Sequence, residues 1–268
     1  MSKYSTPKEL FTATCDSIRS KTGKTELINH EDIPSEIDSI ADANKKPYID
    51  TSLITDWRYF FQNDYRASTW DFENTDFSGG ENFYYCFSAF GNSDVAARGK
   101  DIYINAPKAT IYSYAFRMSH FNKVTLDAES ALEIVQAFNG SLIKEVEFIK
   151  PPKKCATFAN CFQNCKNLIS IKGLDFSGVT EAPGITNTFA NCPELVDCVI
   201  TGTLKILSSN FRINGCSKLS RESVVSFANA ILDNTGGTTQ TLYFGAANLA
   251  KLTEEEKAAL INKNFVLA

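Results

Sequence analysis

The sequence is short of most residues and patterns that announce chemistry. It has only two histidines, His30 and His120. Both lie far in sequence from Cys155, Cys161 and Cys165, so a Cys–His nucleophilic pair has few candidates. His120, in Arg117-Met118-Ser119-His120-Phe121, reads as a turn or surface residue. There is no C-x-x-C pair. Cys161 and Cys165 are four apart and Cys155 stands six before Cys161, a spacing that does not fit a zinc site. No phosphate-binding loop is present: Lys21-Thr22-Gly23-Lys24-Thr25 contains Gly-Lys-Thr, but Arg19 occupies the upstream glycine position. Gly23 reads instead as a helix C-cap.

Long apolar runs are missing too. No stretch approaches about 18 apolar residues, so no membrane span is expected. Met1 to Leu10 is polar and lacks an apolar core, so no secretory signal is expected, and Asn264 to Ala268 carries no sorting or lipidation signal. There is no basic block, and the net charge is -4 with a pI near 5.4. Nothing would draw the chain onto nucleic acid irrespective of sequence. The eight cysteines are expected in a reducing compartment, where they serve as small buried side chains rather than disulfides. Acidic residues always offer pairs. The cluster Asp71, Glu73 and Asp76 near Trp70 is the nearest to a glycosidase arrangement, and it reads as solvated loop acids. No cofactor, metal or catalytic residue is expected.

What is present is a globular composition, 43% hydrophobic and 22% charged, and a repeat. Phe162-Gln163-Asn164-Cys165 and Phe189-Ala190-Asn191-Cys192 are each followed by apolar residues six and nine positions after the Phe. These are Leu168 and Ile171 in one copy, Leu195 and Cys198 in the other. Weaker copies give anchors at Phe61, Phe87, Phe116, Phe138, Phe162, Phe189 and Phe211, with intervals from 22 to 29 residues. A unit of that length cannot bury its own apolar face, but stacked units can. Alternating segments at 102–106, 123–126, 145–149 and 168–171 predict one short strand per unit. The Asn and Cys after each anchor fit inward positions at a tight corner.

The ends differ from the middle. The spacing of Leu10, Phe11, Thr14, Cys15 and Ile18 predicts an N-terminal helix, with a second after Pro34 and a polar linker from Ala41 to Pro47. Ser220 is placed to cap a helix over 221–232. Gln240 to Gly245 reads as a strand, Thr253-Glu254-Glu255-Glu256 as a capping box, and 265–267 as a last strand.

The residues 49–61, Phe162 to Leu168 and Phe189 to Leu195 resemble BspA-like leucine-rich repeats. The segments Leu10 to Ile40 and Ala247 to Lys257 resemble modules that flank such repeats in tail and baseplate proteins of phages of Gram-positive hosts. The resemblance covers nearly the whole chain. It implies a β-rich α+β fold: an irregular leucine-rich-repeat β-solenoid at 47–219, an N-terminal helical segment at 1–46 and a C-terminal α/β cap at 220–268. It implies a non-enzymatic recognition role, made in the host cytoplasm and carried in the virion tail. The partner is a host-surface glycan or a protein. Two other readings stay open: an intracellular phage protein that binds and sequesters a host protein, and a glycan-active enzyme.

Both tryptophans and eight of ten tyrosines lie between Tyr48 and Tyr114. Exposed aromatic side chains commonly hold sugars or protein partners. Trp57, Tyr65, Trp70, Tyr84 and Tyr85 are therefore the expected ligand-binding residues.

Overall fold

The computed structural model describes residues 51–63, 72, 75–91, 99–179, 182–204 and 211–268. The expected N-terminal helices lie outside the described residues, as do Tyr65, Trp70, Asp71 and Glu73. The described part is mixed α/β, with parallel sheets and few helices. Strands β1 (Asp101–Ile104), β2 (Lys123–Asp127), β3 (Glu145–Lys150) and β4 (Ser170–Lys172) form one parallel sheet in that order. Period-two alternation explains it. Ile102, Ile104, Val124, Leu126, Val146 and Phe148 are buried, while Asp101, Tyr103 and Glu145 face solvent. The fourth strand begins at Ser170, two residues later than its apolar pattern suggests.

After each strand the chain turns a corner. An aspartate accepts a bond from a backbone N–H two residues on at Asp76 (2.8 Å), Asp127 (3.2 Å) and Asp175 (2.7 Å). Next comes a single parallel bridge, in the series Asp56, Asn82, Ile111, Glu133 and Thr157. The chain then runs back through consecutive tight turns to the next strand. Each circuit is called a pass below.

The run of turns is neither helix nor strand, yet its amides are bonded in two alternating ways. Odd members bond between passes. Trp57, Tyr59, Phe61 and Asn63 donate to the carbonyls of Asn82, Tyr84, Cys86 and Ser88 at 2.8–3.1 Å. Even members bond within a pass, as Phe60 N–H does to the Trp57 carbonyl and Gln62 N–H to the Tyr59 carbonyl. The same ladder recurs at Phe83–Ala89, Tyr112–Met118, Ile134–Gly140 and Phe158–Asn164. It answers where the backbone polar groups of a segment without regular structure go.

The turns demand positive φ at two places per pass, two residues before and two residues after the Phe anchor. The later passes supply residues suited to that conformation: Asn160, Asn164, Asn187, Asn191 and Gly140. This corrects the expected inward placement of Asn164 and Asn191. Both are exposed, and the left-handed backbone is what selects them. The cysteines do point inward. The thiols of Cys165, Cys192 and Cys216 donate to the carbonyls of Phe138, Phe162 and Phe189, one pass earlier, at 2.9, 2.9 and 3.3 Å.

Six anchor rings form one column. Phe61, Phe87, Phe116, Phe138, Phe162 and Phe189 stack at centroid separations of 5.0–5.9 Å and within 10° of parallel. Phe211 breaks the column and meets Phe189 edge-on at 85°. Phe227 takes part of its place, 5.3 Å from Phe189. A second buried column stands four residues before each anchor: Trp57, Phe83, Tyr112, Ile134, Phe158 and Ile185.

Phe227 belongs to α1 (Arg221–Ala230), which Ser220 caps as expected, its hydroxyl accepting from Ser223 N–H at 3.2 Å. The helix ends two residues short of the expected 232. Beyond it, β5 (Gln240–Leu242), α2 (Ala246–Leu249), α3 (Glu254–Asn262) and β6 (Phe265–Leu267) close the chain, with β5 and β6 parallel. The capping box at Thr253 and Glu256 is fully formed. Asn248 ties this region to the passes. Its buried Nδ2 donates to the carbonyls of Ile213 (3.0 Å), Cys216 (3.3 Å) and Phe244 (3.0 Å), while its Oδ1 accepts from Lys251.

Asn248→Asp is nearly isosteric but turns an acceptor-only carboxylate toward those carbonyls. Its folded-state pKa must rise above the unfolded value, so the variant is close to normal below about pH 4 and weakens as pH rises. A loss of about 3 kcal/mol is expected at pH 7. Urea unfolding at pH 4 and pH 7 checks it, and a deficit independent of pH would contradict the assigned amide orientation. Among the described residues no helix is long and apolar enough to cross a membrane.

Candidate functional site

The expected ligand-binding residues separate by depth. Trp57 is fully buried, stacked on Phe83 (6.1 Å, 6°) and packed against Phe77 and Phe60. It presents no face to a ligand; that expectation is corrected, because the position four before the anchor points into the core. Tyr65 and Trp70 lie outside the described residues. Tyr84 and Tyr85 are partly exposed, and the structure brings them together with two residues that aromatic density alone did not single out, Tyr59 and Tyr114.

The four form one surface. Tyr59, Tyr85 and Tyr114 occupy the same position in three successive passes, two residues before the anchors Phe61, Phe87 and Phe116. Their rings are near parallel, with Tyr59–Tyr85 at 5.7 Å and 22° and Tyr85–Tyr114 at 4.6 Å and 6°. Tyr84 stands edge-on to all three, 5.7 Å from Tyr59, 4.7 Å from Tyr85 and 5.7 Å from Tyr114. Tyr59 is the most open, at 51% exposure. Beside it, Arg58 is clamped on Asp56 by bonds of 2.7–3.0 Å. At the far end Gln136, next in the same column, donates to the Tyr114 hydroxyl at 3.4 Å. That hydroxyl keeps its own proton to give. Burial among its neighbours pushes the Tyr84 hydroxyl pKa upward, with Tyr85, Tyr59 and Tyr114 adding to it. The Tyr84 hydroxyl therefore keeps its proton at neutral pH.

The backbone under this face is strained. Tyr59, Tyr85 and Tyr114 have φ of 61°, 55° and 61°. A bulky residue in the left-handed region costs about 1 kcal/mol or more. In the column's later passes Asn160 and Asn187 take the position cheaply. Stacking between rings returns part of that cost, about 0.5–1.5 kcal/mol per pair. A core does not require it, because these rings are outside the core. The same left-handed conformation recurs at Ala89, Met118 and Gln136, so it belongs to the turn; what distinguishes the first three passes is that tyrosine occupies it.

Little else offers chemistry. No group of three or more His, Cys, Asp or Glu that could hold a metal occurs among the described residues. Asp76 is engaged in capping its corner. On the exposed face of the sheet Lys123 pairs with Glu147 at 2.6 Å, a solvent-screened contact of little energetic weight. A 710 Å³ depression is lined by Phe72, Thr75, Asp76 and Phe77 and by the outer faces of β1 and β2. No family model, curated protein or solved structure matches this chain.

Proposed function

We propose that the chain is a non-enzymatic recognition component of a phage tail or baseplate. In this reading the passes are an irregular leucine-rich-repeat solenoid closed by an α/β cap. The tyrosine face of the first three passes contacts a host-surface glycan or a neighbouring virion protein. The observation that carries it is the row Tyr59, Tyr85 and Tyr114, held in a left-handed backbone outside the core. The flanking resemblances to tail and baseplate modules supply the setting.

The test uses a double variant, Tyr85→Asn with Tyr114→Asn. Asparagine suits positive φ, as Asn160 and Asn187 already show, so the variant should fold with stability within about 1 kcal/mol of the parent. Labelled parent protein is expected to bind purified host cell walls or tail particles lacking it, saturably, and the folded variant at least tenfold more weakly. Equal binding by both would remove the tyrosine face from the proposal. Absence of the chain from purified particles, with no binding to walls, would remove the tail assignment.

A further inference from the structure

We propose a second binding site, apart from the tyrosine face: the depression on the outer face of β1 and β2 takes a neutral saccharide of a few sugar units, with the ring of Tyr103 as its platform. Period-two alternation builds the floor. Asp101, Tyr103 and Asn105 point outward along β1 and just beyond it, and Lys123 and Thr125 do so along β2. The parallel register sets Asp101 beside Lys123 and Tyr103 beside Thr125, on strands about 4.8 Å apart. Thr75 and Asp76, with Phe72 and Phe77, line the rest. The volume of 710 Å³ falls within the range of small-molecule sites, about 300–1,000 Å³.

Three features select the class of ligand. One is the ring. Tyr103 is 49% exposed, and no aromatic ring among the described residues stacks on it. The faces of Tyr85, by contrast, are turned toward Tyr59 and Tyr114. An open aromatic face packs against the apolar C–H face of a sugar ring. Later passes carry Thr125, Glu147 and Lys172 in the same row, so the fold does not require a ring there. Another is hydrogen-bonding capacity. The side chains of Asn105 and Thr125 make no hydrogen bond among the described residues, which leaves an amide and a hydroxyl, each both donor and acceptor, beside the ring. Asp101 and Asp76 each accept on Oδ1, from Asn122 Nδ2 at 3.0 Å and from Ser78 N–H at 2.8 Å, and keep Oδ2 for a sugar hydroxyl. The last is charge. Lys123 is held by Glu147 at 2.6 Å, which with Glu145 and Asp101 raises its pKa. A cation already surrounded by carboxylates offers little to a phosphate, and its own charge offsets Asp101 beside it. A neutral, hydroxyl-rich ligand meets all three conditions.

Chitotetraose, cellotetraose, maltotetraose and soluble polysaccharide released from host walls are titrated separately into the full chain by isothermal titration calorimetry. At least one is expected to bind saturably, and equally well in about 0.5 M NaCl, because no charge pair is involved. Binding of the polysaccharide alone assigns the wall as the source; binding of a tetrasaccharide as well admits a free sugar. Tyr103→Val keeps a strand former at an exposed position, so its urea midpoint should match the parent's. Its binding should fall at least tenfold, while Tyr103→Phe, which keeps the platform, stays within about threefold. No saturable binding of any of the four, binding lost in salt, or a folded Tyr103→Val variant that binds like the parent would overturn the inference. The tyrosine face is judged separately. The Tyr85→Asn, Tyr114→Asn variant should bind the saccharide as the parent does; loss there, with Tyr103→Val unaffected, would move the sugar to the tyrosine face.

Discussion

Raising the pH from 7 to 9.5 is expected to remove several kcal/mol of folding stability, a large share of what holds most domains of this size together. The cause is the inward cysteines. Burial pushes the thiols of Cys155 and Cys165 up to about 12 and those of Cys86, Cys161 and Cys198 well above the ordinary range. Cys192 is raised as well, first by its contact with Cys216 and then by burial. In the unfolded chain each thiol ionises near 8.5. Because the folded values are the higher ones, the stabilising contribution is complete below about pH 8.5 and is lost as pH rises toward 12. One unit above 8.5 each thiol costs about 1.4 kcal/mol, and six are involved. Urea unfolding in the presence of a reductant, at pH 7, 8, 9 and 9.5, measures it. The midpoint should hold steady to pH 8 and then fall steeply. Cys161→Ala should shallow that fall while lowering stability at pH 7. A midpoint unchanged to pH 9.5 would mean the thiols are not sealed as described.

Phe138→Ala is expected to cost about 3–5 kcal/mol, the upper range for a buried aromatic ring. Phe138 is completely buried and stacked on both sides, 5.2 Å from Phe116 and 5.3 Å from Phe162. The cavity cannot close by bringing passes together. Their separation is set by bonds such as Phe116 N–H to the Ala137 carbonyl at 2.7 Å and Phe138 N–H to the Cys161 carbonyl at 2.9 Å. The site therefore keeps the void and loses both ring contacts. Phe138→Leu, which retains most of the volume, should cost about 1–2 kcal/mol. Denaturant unfolding of both variants at pH 7 settles it; a loss below about 1 kcal/mol for the alanine variant would mean the column relaxes freely.

Much of this architecture could be read from the residues. The anchor phenylalanines announced the ring column because every pass needs one large apolar group at the same depth. Ser220, Thr253 and Glu256 announced helix starts because capping is local chemistry. The tyrosine face was written in the same arithmetic, since Tyr59, Tyr85 and Tyr114 each stand two residues before an anchor. Density cannot separate Tyr59 from Trp57, because both are aromatic and two residues apart. Phase separates them, one position pointing out and the other in. The left-handed turns were harder to see. Asn164 and Asn191 carry that signal openly, but a tyrosine in the same conformation looks like a strand former. The threefold role of Asn248 is invisible in sequence, since its acceptors belong to Ile213, Cys216 and Phe244, and only the folded chain assembles them.

The alternating ladder has an electrical direction. In every pass the bonding amides point toward the next pass and the accepting carbonyls toward the previous one. Four files of peptide dipoles are thus aligned head to tail from Trp57–Asn63 to Gly184–Ala190. This is the arrangement that gives an α-helix its polarity, each unit contributing about 3.5 D. Here the sign at the chain's leading end is reversed. The first described pass turns the carbonyls of Asp56, Arg58, Phe60 and Gln62 away from the second pass, a negative pole, whereas a helix begins with N–H groups. The local field therefore has opposite sign at the two ends of the ladder, negative beside the carbonyls of the first described pass, independently of any side chain.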